Sequence, residues 1–67
     1  MKVTVNGQPR ELLDGARLGD VVAGLSGGRR TGIAVAVNGE VVPKSDWDEA
    51  LVDENDVIEV LSAIGGG

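Results

Sequence analysis

With 67 residues, no cysteine, no histidine and a formal net charge of −5, the chain is one small domain that lacks thiol chemistry, the usual general base and the thiolate and imidazole metal ligands. The acidic charge and the single aromatic residue, Trp47, argue against nucleic acid as a partner, because phosphate binding needs cations and base stacking needs aromatic rings. No apolar run approaches the roughly 20 residues that span a bilayer and no signal peptide is recognisable, so we expect a cytoplasmic domain that binds no membrane.

The chain begins with the pattern of a β-hairpin. Residues 2–5 alternate polar and apolar side chains, which predicts a half-buried strand with its two valines facing inward. Asn6-Gly7 then matches the type I′ turn, in which both central residues need a positive φ. We expect a second, antiparallel strand over 9–13, at an edge of the sheet because Pro9 has no N–H to donate to a neighbour.

A helix is predicted next, from apolar residues spaced at i, i+3, i+4 and i+7. Two glycines inside it, and Arg17 at its start in place of a capping side chain, lower its intrinsic stability, so packing on a sheet must hold it. Ser26-Gly27-Gly28 predicts its C-terminal end. The apolar stripe comprises Leu18, Val21, Val22 and Leu25.

The middle of the chain predicts a second hairpin around Asn38-Gly39, between strands over 33–37 and 40–43. The first of these strands has large side chains on one face and alanines on the other, and the alanine face would let another layer approach closely. Residues 27–32 contain glycines but neither a Walker A nor a dinucleotide-binding pattern. We interpret them as a flexible connection with two solvated arginines.

The rest of the chain predicts short elements and one more strand. Ser45 and Asp48 have the spacing of a capping box, which indicates a single helical turn. We interpret Trp47 as a plug at the edge of the core whose N–H finds an acceptor, with a partner hot spot as the alternative. Residues 53–56 predict a turn rather than a magnesium or calcium site, because their spacing is not that of an EF-hand. Residues 56–61 predict the last strand.

The order of hairpin, helix, hairpin, helical turn and strand predicts a two-layer α+β domain. The simplest closed arrangement places the last strand at the centre of the sheet, next to the first and parallel with it. This is a β-grasp topology, a mixed sheet of four to five strands packed on one main helix. We expect the domain to comprise residues 1–62 and a flexible glycine tail to comprise residues 63–67.

Charge is distributed unevenly along the chain. All six cations lie at or before Lys44, whereas seven acids and no cation lie from Asp46 to Glu59. Solubility and turn formation explain the acids most simply. Steering onto an electropositive partner is the alternative.

The sequence closes with three glycines, Gly65, Gly66 and Gly67, preceded by Ile64. Glycine lets a partner's backbone approach closely, and the Gly67 carboxylate is unhindered. We expect no catalytic, cofactor or metal site on the domain itself, so this carboxylate is the leading candidate for chemistry. Ile64 is expected to seat the tail in a partner's groove rather than to pack on its own sheet.

Several segments match one known family in the same order along the chain. They are Val3-Thr4-Val5-Asn6-Gly7, the helix from Leu18 to Leu25, the hairpin from Val35 to Pro43, Ser45-x-Trp47, the strand from Asp56 to Leu61 and the glycine end. With them the whole chain resembles the sulfur carrier proteins of thiamine biosynthesis, the ThiS family. It departs from the family at Gly65, where a larger polar residue is more usual, and at Arg17, which replaces a hydroxyl N-cap.

The resemblance implies a ubiquitin-like β-grasp fold that presents the Gly67 carboxylate to an E1-like (ThiF-like) adenylyltransferase using ATP and Mg²⁺. Sulfur from a cysteine desulfurase, or from another persulfide donor, would replace AMP and give a thiocarboxylate. Thiazole synthase (ThiG-like) would receive the sulfur. Gly66, Gly65 and Ile64 would form the part of the tail that enters the partner's active site, and the carrier would bind no cofactor itself.

Two alternatives stay open from the sequence. The first is a sulfur carrier of another pathway, such as the small subunit of molybdopterin synthase, although those subunits are generally longer. The second is a ubiquitin-like interaction module in which the glycines carry no chemistry.

Overall fold

The computed structural model describes residues 1–62; residues 63–67, and with them the predicted tail residues Ile64, Gly65, Gly66 and Gly67, lie outside this range. Over residues 1–62, five strands form one mixed sheet that packs on one α-helix, which confirms the α+β class. The elements in chain order are β1 (Lys2–Val5), β2 (Gln8–Glu11), α1 (Leu18–Ser26), β3 (Ile33–Val37), β4 (Glu40–Val42), a 3₁₀ turn (Lys44–Asp46) and β5 (Val57–Ser62).

The strand order across the sheet is β2-β1-β5-β3-β4. β5 runs parallel to β1, with Val5 opposite Ile58, and antiparallel to β3, with Val35 opposite Val60. The prediction that the last strand lies at the centre, next to the first and parallel with it, is confirmed. The fold is therefore β-grasp.

Both Asn-Gly pairs form the predicted hairpin turns. Asn6 and Gly7 have φ of 50° and 79°, and Asn38 and Gly39 have φ of 53° and 85°. A two-residue turn sets the first strand pairing directly beside it, so β2 begins at Gln8 and ends at Glu11 instead of covering 9–13. As expected for a strand that contains proline, β2 lies at an edge of the sheet.

The helix α1 starts without a side-chain cap from Arg17, yet its first N–H groups have partners. The Leu18 N–H donates to the carbonyl oxygen of Ala50 at 2.9 Å, and the Gly19 N–H donates to that of Trp47 at 3.0 Å. The Asp20 carboxylate accepts the Arg17 backbone N–H at 3.0 Å, which is one half of a capping box. The segment after β4 therefore supplies the cap that the sequence at the helix start lacks.

Gly19 lies where α1 meets this segment. A Cβ there would collide with the Asp48 carboxylate and would lie 3.6 Å from the Trp47 carbonyl oxygen. Gly27 ends the helix in the left-handed conformation, with φ of 68°, as its position after Ser26 predicts. Along residues 1–62 no helix has the length and apolar character needed to cross a membrane.

The predicted helical turn near Ser45 forms, but the capping box does not. The 3₁₀ turn has Pro43 at its N-cap position and no side-chain cap, because Ser45 lies inside the turn rather than before it. Trp47 is 1% exposed and its Nε1–H donates to the Val42 carbonyl oxygen at 2.9 Å, which confirms the predicted core plug. Its burial leaves no surface for the alternative role as a partner hot spot.

The core lies between α1 and one face of the sheet. Both β1 valines face it, as predicted, and so do three of the four residues in the predicted helix stripe; Leu25 remains 37% exposed. The buried apolar residues are Val3, Val5, Leu18, Val21, Val22, Val35, Trp47, Val52 and Ile58.

Candidate functional site at the end of the central strand

The central strand β5 leads directly to the predicted reactive tail. It ends at Ser62, one residue before the predicted tail begins. The predicted site residues, Ile64 to Gly67, lie outside the described part of the chain, and Ser62 is the described residue nearest to them in sequence. Neighbouring strands β1 and β3 hold β5 on both sides, up to the point where the predicted tail begins.

Residues of β5 alternate between the two faces of the sheet. Ile58 is fully buried under α1, and Val60 and Ser62 on the same face are half-buried. Val57, Glu59 and Leu61 point to the opposite face and are exposed. The register of β5 thus decides which of its side chains stabilise the domain and which are available to a partner.

An apolar surface extends over the face of the sheet that α1 does not cover. Leu61 on β5 is 68% exposed and lies opposite Ala34, and Val41 on β4 is 77% exposed and lies opposite Ala36. No element of residues 1–62 covers this surface, in keeping with the prediction that the alanine face admits another layer. We call it the open face; it comprises Ala34, Ala36, Val41, Glu59 and Leu61.

The two turn asparagines also bind β5 through their side chains. The Asn6 amide accepts the Val60 N–H at 2.8 Å and donates to the Val60 carbonyl oxygen at 3.2 Å. The Asn38 amide accepts the Val57 N–H at 2.9 Å on the other side of the strand. Each asparagine therefore forms a turn and holds β5, one near each end. Sequence patterns predict only the turns, because the Asn6–Val60 contact joins residues 54 positions apart.

Cations lie around the end of β5. Arg29 Nη2 donates to the Ser62 hydroxyl oxygen at 3.0 Å. Arg30 stacks over Trp47, with its guanidinium carbon 5.3 Å from the ring centroid, and its Nη1 lies 3.0 Å from the Asp48 carboxylate. Both arginines were expected to be solvated; Arg29 is exposed, whereas Arg30 is half-buried against Trp47.

A shallow groove beside Ser62 brings a third cation to this end of the sheet. Lys44, at the start of the 3₁₀ turn, lines it together with Arg30. Within residues 1–62 Lys44 makes no ion pair. We call this the basic groove; it is lined by Arg30, Gly32, Ile33, Ala34, Lys44, Leu61 and Ser62.

Three of the seven acids between Asp46 and Glu59 lie at the far end of β5 from Ser62. Asp53, Glu54 and Asp56 come before Val57, so the six residues of β5, about 20 Å of extended strand, separate them from the end at Ser62. These three carboxylates therefore do not surround Ser62, whereas Asp48 lies near this end of the sheet in an ion pair with Arg30. The basic groove beside Ser62 is lined by two cations and by no carboxylate of the described residues.

The predicted turn over 53–56 is confirmed, and its polar groups are used within the domain. Asp56 accepts the Asp53 N–H at 2.8 Å and the Asn38 side-chain N–H at 2.9 Å. Within the described range, no group of three or more His, Cys, Asp or Glu side chains could hold a metal ion. The arrangement at residues 53–56 is that of a hydrogen-bonded turn.

The chain is similar to known proteins over its whole length. A family model described as ThiS family matches residues 3–67. The protein named sulfur carrier protein ThiS from Escherichia coli (strain K12) is 28% identical over 67 residues, which covers all of both chains. A crystal structure of the thiamine biosynthesis protein ThiS from Geobacter metallireducens superposes with a TM-score of 0.81 at 29% identity and full coverage of both chains.

A second kind of relative is longer. A protein from Paramagnetospirillum magneticum (strain ATCC 700264 / AMB-1) named thiazole synthase is 33% identical over 67 residues. The match takes in all of this chain but spans only 20% of the length of that protein. A domain similar to this one therefore occurs there within a larger polypeptide.

Proposed function

The chain belongs to the ThiS family of sulfur carrier proteins of thiamine biosynthesis, and we propose that its Gly67 carboxylate is the group that is adenylated and then converted to a thiocarboxylate. The protein is a carrier and not a catalyst, so a partner enzyme performs the chemistry on it. Residues 1–62 serve as the rigid domain, and residues 63–67 serve as the tail that the partner's active site takes up. The observation that carries the proposal is that β5, held on both sides, leads directly into this tail.

The chemistry begins with activation of a poor acyl donor. A Gly67 carboxylate oxygen attacks the α-phosphorus of ATP in an E1-like adenylyltransferase with Mg²⁺, and pyrophosphate leaves. The terminal sulfur of a persulfide then attacks the acyl carbon, and AMP departs. A thiol cleaves the sulfur–sulfur bond of the resulting acyl disulfide and releases the thiocarboxylate. The carrier supplies the acyl group and binds neither ATP nor metal itself.

The dimensions of the tail suit this role. Five extended residues at roughly 3.3–3.6 Å each reach about 17 Å, enough to pass from the domain surface into an enclosed site. Gly65, Gly66 and Gly67 add no side chains, so the entry channel can be narrow and exclude water from a hydrolysable adenylate. Ile64 is placed to anchor the tail at the channel mouth.

We assign the open face as the surface that meets the adenylyltransferase. It lies next to the end of β5, and the large exposed side chains Leu61 and Val41 flank alanines that allow close approach. Burying such side chains contributes roughly 25 cal/mol for each Å² of apolar surface removed from water. The receiver of the sulfur is a thiazole synthase, and the Paramagnetospirillum magneticum protein of that name, which contains a similar segment, supports this pairing.

Mass spectrometry of the intact protein tests the proposal. The wild-type chain is incubated with the adenylyltransferase of its own organism, ATP, Mg²⁺, a cysteine desulfurase and cysteine. We expect a mass increase of one oxygen-to-sulfur exchange. A chain lacking Gly67, and a chain with one alanine added after it, are matched controls with the same domain, and neither should gain the mass. A wild-type chain that never gains it would refute the proposal.

A further inference from the structure

The distribution of charge around β5 is not explained by folding or by the chemistry of the tail. The chain is acidic overall, with eleven acids and six cations. Yet three of its six cations, Arg29, Arg30 and Lys44, gather at the end of β5 from which the tail continues. Arg29 and Arg30 follow α1, whereas Lys44 follows β4, so the fold and not the sequence brings them together.

These cations are only partly neutralised. Asp48 pairs with Arg30 at 3.0 Å. Within residues 1–62, no carboxylate lies within ion-pair distance of Arg29 or of Lys44. Asp46 is two residues from Lys44 and Glu59 lies on the neighbouring open face, but neither forms an ion pair with the groove. The Lys44 ammonium therefore keeps its full capacity for an ion pair with another molecule.

The opposite end of the sheet has the reverse charge. Asp53, Glu54 and Asp56 precede β5 there, and the Asn38-Gly39 turn brings Glu40 to the same end. Lys2 lies at this end too; its backbone N–H donates to Glu54, and its carbonyl oxygen accepts the Asn55 N–H. The Met1 ammonium beside it lies 3.6 Å from Asp14. Carboxylates thus gather near the start of β5, whereas the basic groove lies at its end.

We propose that the basic groove receives an acidic side chain of the protein that takes up the tail, close to the mouth of its active site. This inference rests on the proposed function and adds the chemistry of the docking contact. The groove and the open face share Ala34 and Leu61, so a partner seated on the apolar surface also covers the groove. A carboxylate held there would form an ion pair with Lys44 that the covering partner shields partly from water.

Two charge-reversal variants with the same net charge test whether the basic groove binds the partner. Lys44→Glu and Lys2→Glu change the net charge equally, but one lies in the basic groove and the other at the acidic end. We measure KM and kcat of the adenylyltransferase for each carrier variant, following the gain in mass at several salt concentrations. Thermal unfolding of both variants confirms that each remains folded.

The expected result is a rise in KM of about fivefold or more for Lys44→Glu at low salt, with kcat unchanged and the effect shrinking as salt screens the contact. Lys2→Glu should change KM by less than about twofold. Equal KM values for the two variants would overturn the groove proposal. So would a lower KM for Lys44→Glu, which would mean that the groove holds the chain's own terminal carboxylate. If the wild-type chain gains no sulfur at all, the proposed function fails instead.

Discussion

The helix-covered face and the open face of the sheet are formed by alternate residues of the same strands, but they differ in what they do. On β5, Ile58 is fully buried against the core, whereas Leu61, three residues later, is 68% exposed. The covered face contains the residues that hold the domain together. The open face contains large apolar side chains that no element of residues 1–62 covers. A chain this small can thus keep one face for stability and offer the other to a partner.

Truncation of one apolar residue on each face should give the largest difference between the two faces. Ile58→Ala removes a buried side chain at the centre of the sheet and should cost about 2–5 kcal/mol of unfolding free energy. Leu61→Ala should change stability by no more than about 0.5 kcal/mol. Urea denaturation measures both values.

For binding to the partner, we expect Leu61→Ala to have the effect that it lacks on stability. Leu61→Ala should raise the KM of the adenylyltransferase for the carrier by about threefold or more, because it removes apolar area from the open face. If Leu61→Ala destabilised the domain as much as Ile58→Ala, or left KM unchanged, the division between the two faces would be wrong.

The Asn6 side chain helps to hold β5 in the register that assigns its residues to the two faces. Asn6→Gly keeps the positive φ of the turn but removes both side-chain hydrogen bonds to Val60. We expect a loss of about 1–2 kcal/mol and faster hydrogen exchange of the Val60 amide.

Asn55→Gly is the matched control for this change. Asn55 also has a positive φ, of 69°, but within the described chain its side chain makes no hydrogen bond. Its replacement should be close to neutral. Equal effects of the two substitutions would show that the turn conformation matters and that the contact with Val60 does not.

The smallest predicted effect concerns the helix layer over the covered face. Gly24→Ala adds a methyl group with no atom within 4 Å and should stabilise the domain by up to about 1 kcal/mol through helix propensity. Gly19→Ala offers the same gain, but its Cβ displaces the Asp48 carboxylate and disturbs the ion pair with Arg30. We expect no net stabilisation there. Chemical denaturation compares the two, and an equal gain from both would mean that the close contact at Gly19 carries no cost.

Local patterns in the sequence predict most of the fold. The Asn-Gly pairs place both turns because few other residues adopt two successive positive φ angles, and the period of apolar residues places α1. The capping box predicted at Ser45 fails because Pro43 takes the N-cap position of the 3₁₀ turn. The spacing of Ser45 and Asp48 alone does not show at which residue the helical turn begins.

What the sequence does not predict depends on distant contacts. The start of α1 is capped by the carbonyl oxygens of Trp47 and Ala50, some thirty residues away. The lack of a capping side chain at Arg17 therefore does not leave the helix start uncapped, as the local sequence suggests. The basic groove likewise combines Arg30 and Lys44 with Ser62, whereas the sequence shows only acids shortly before the tail. Such features appear only once the strand order is known.

Fragmentation of the intact, sulfurated protein in the mass spectrometer locates the sulfur and so tests the proposal that Gly67 carries it. We expect the added mass in every fragment that contains Gly67 and in no fragment that lacks it. We also expect treatment with thiazole synthase and its small-molecule substrates to return the chain to its original mass. Added sulfur in fragments that lack Gly67 would show that another residue carries it.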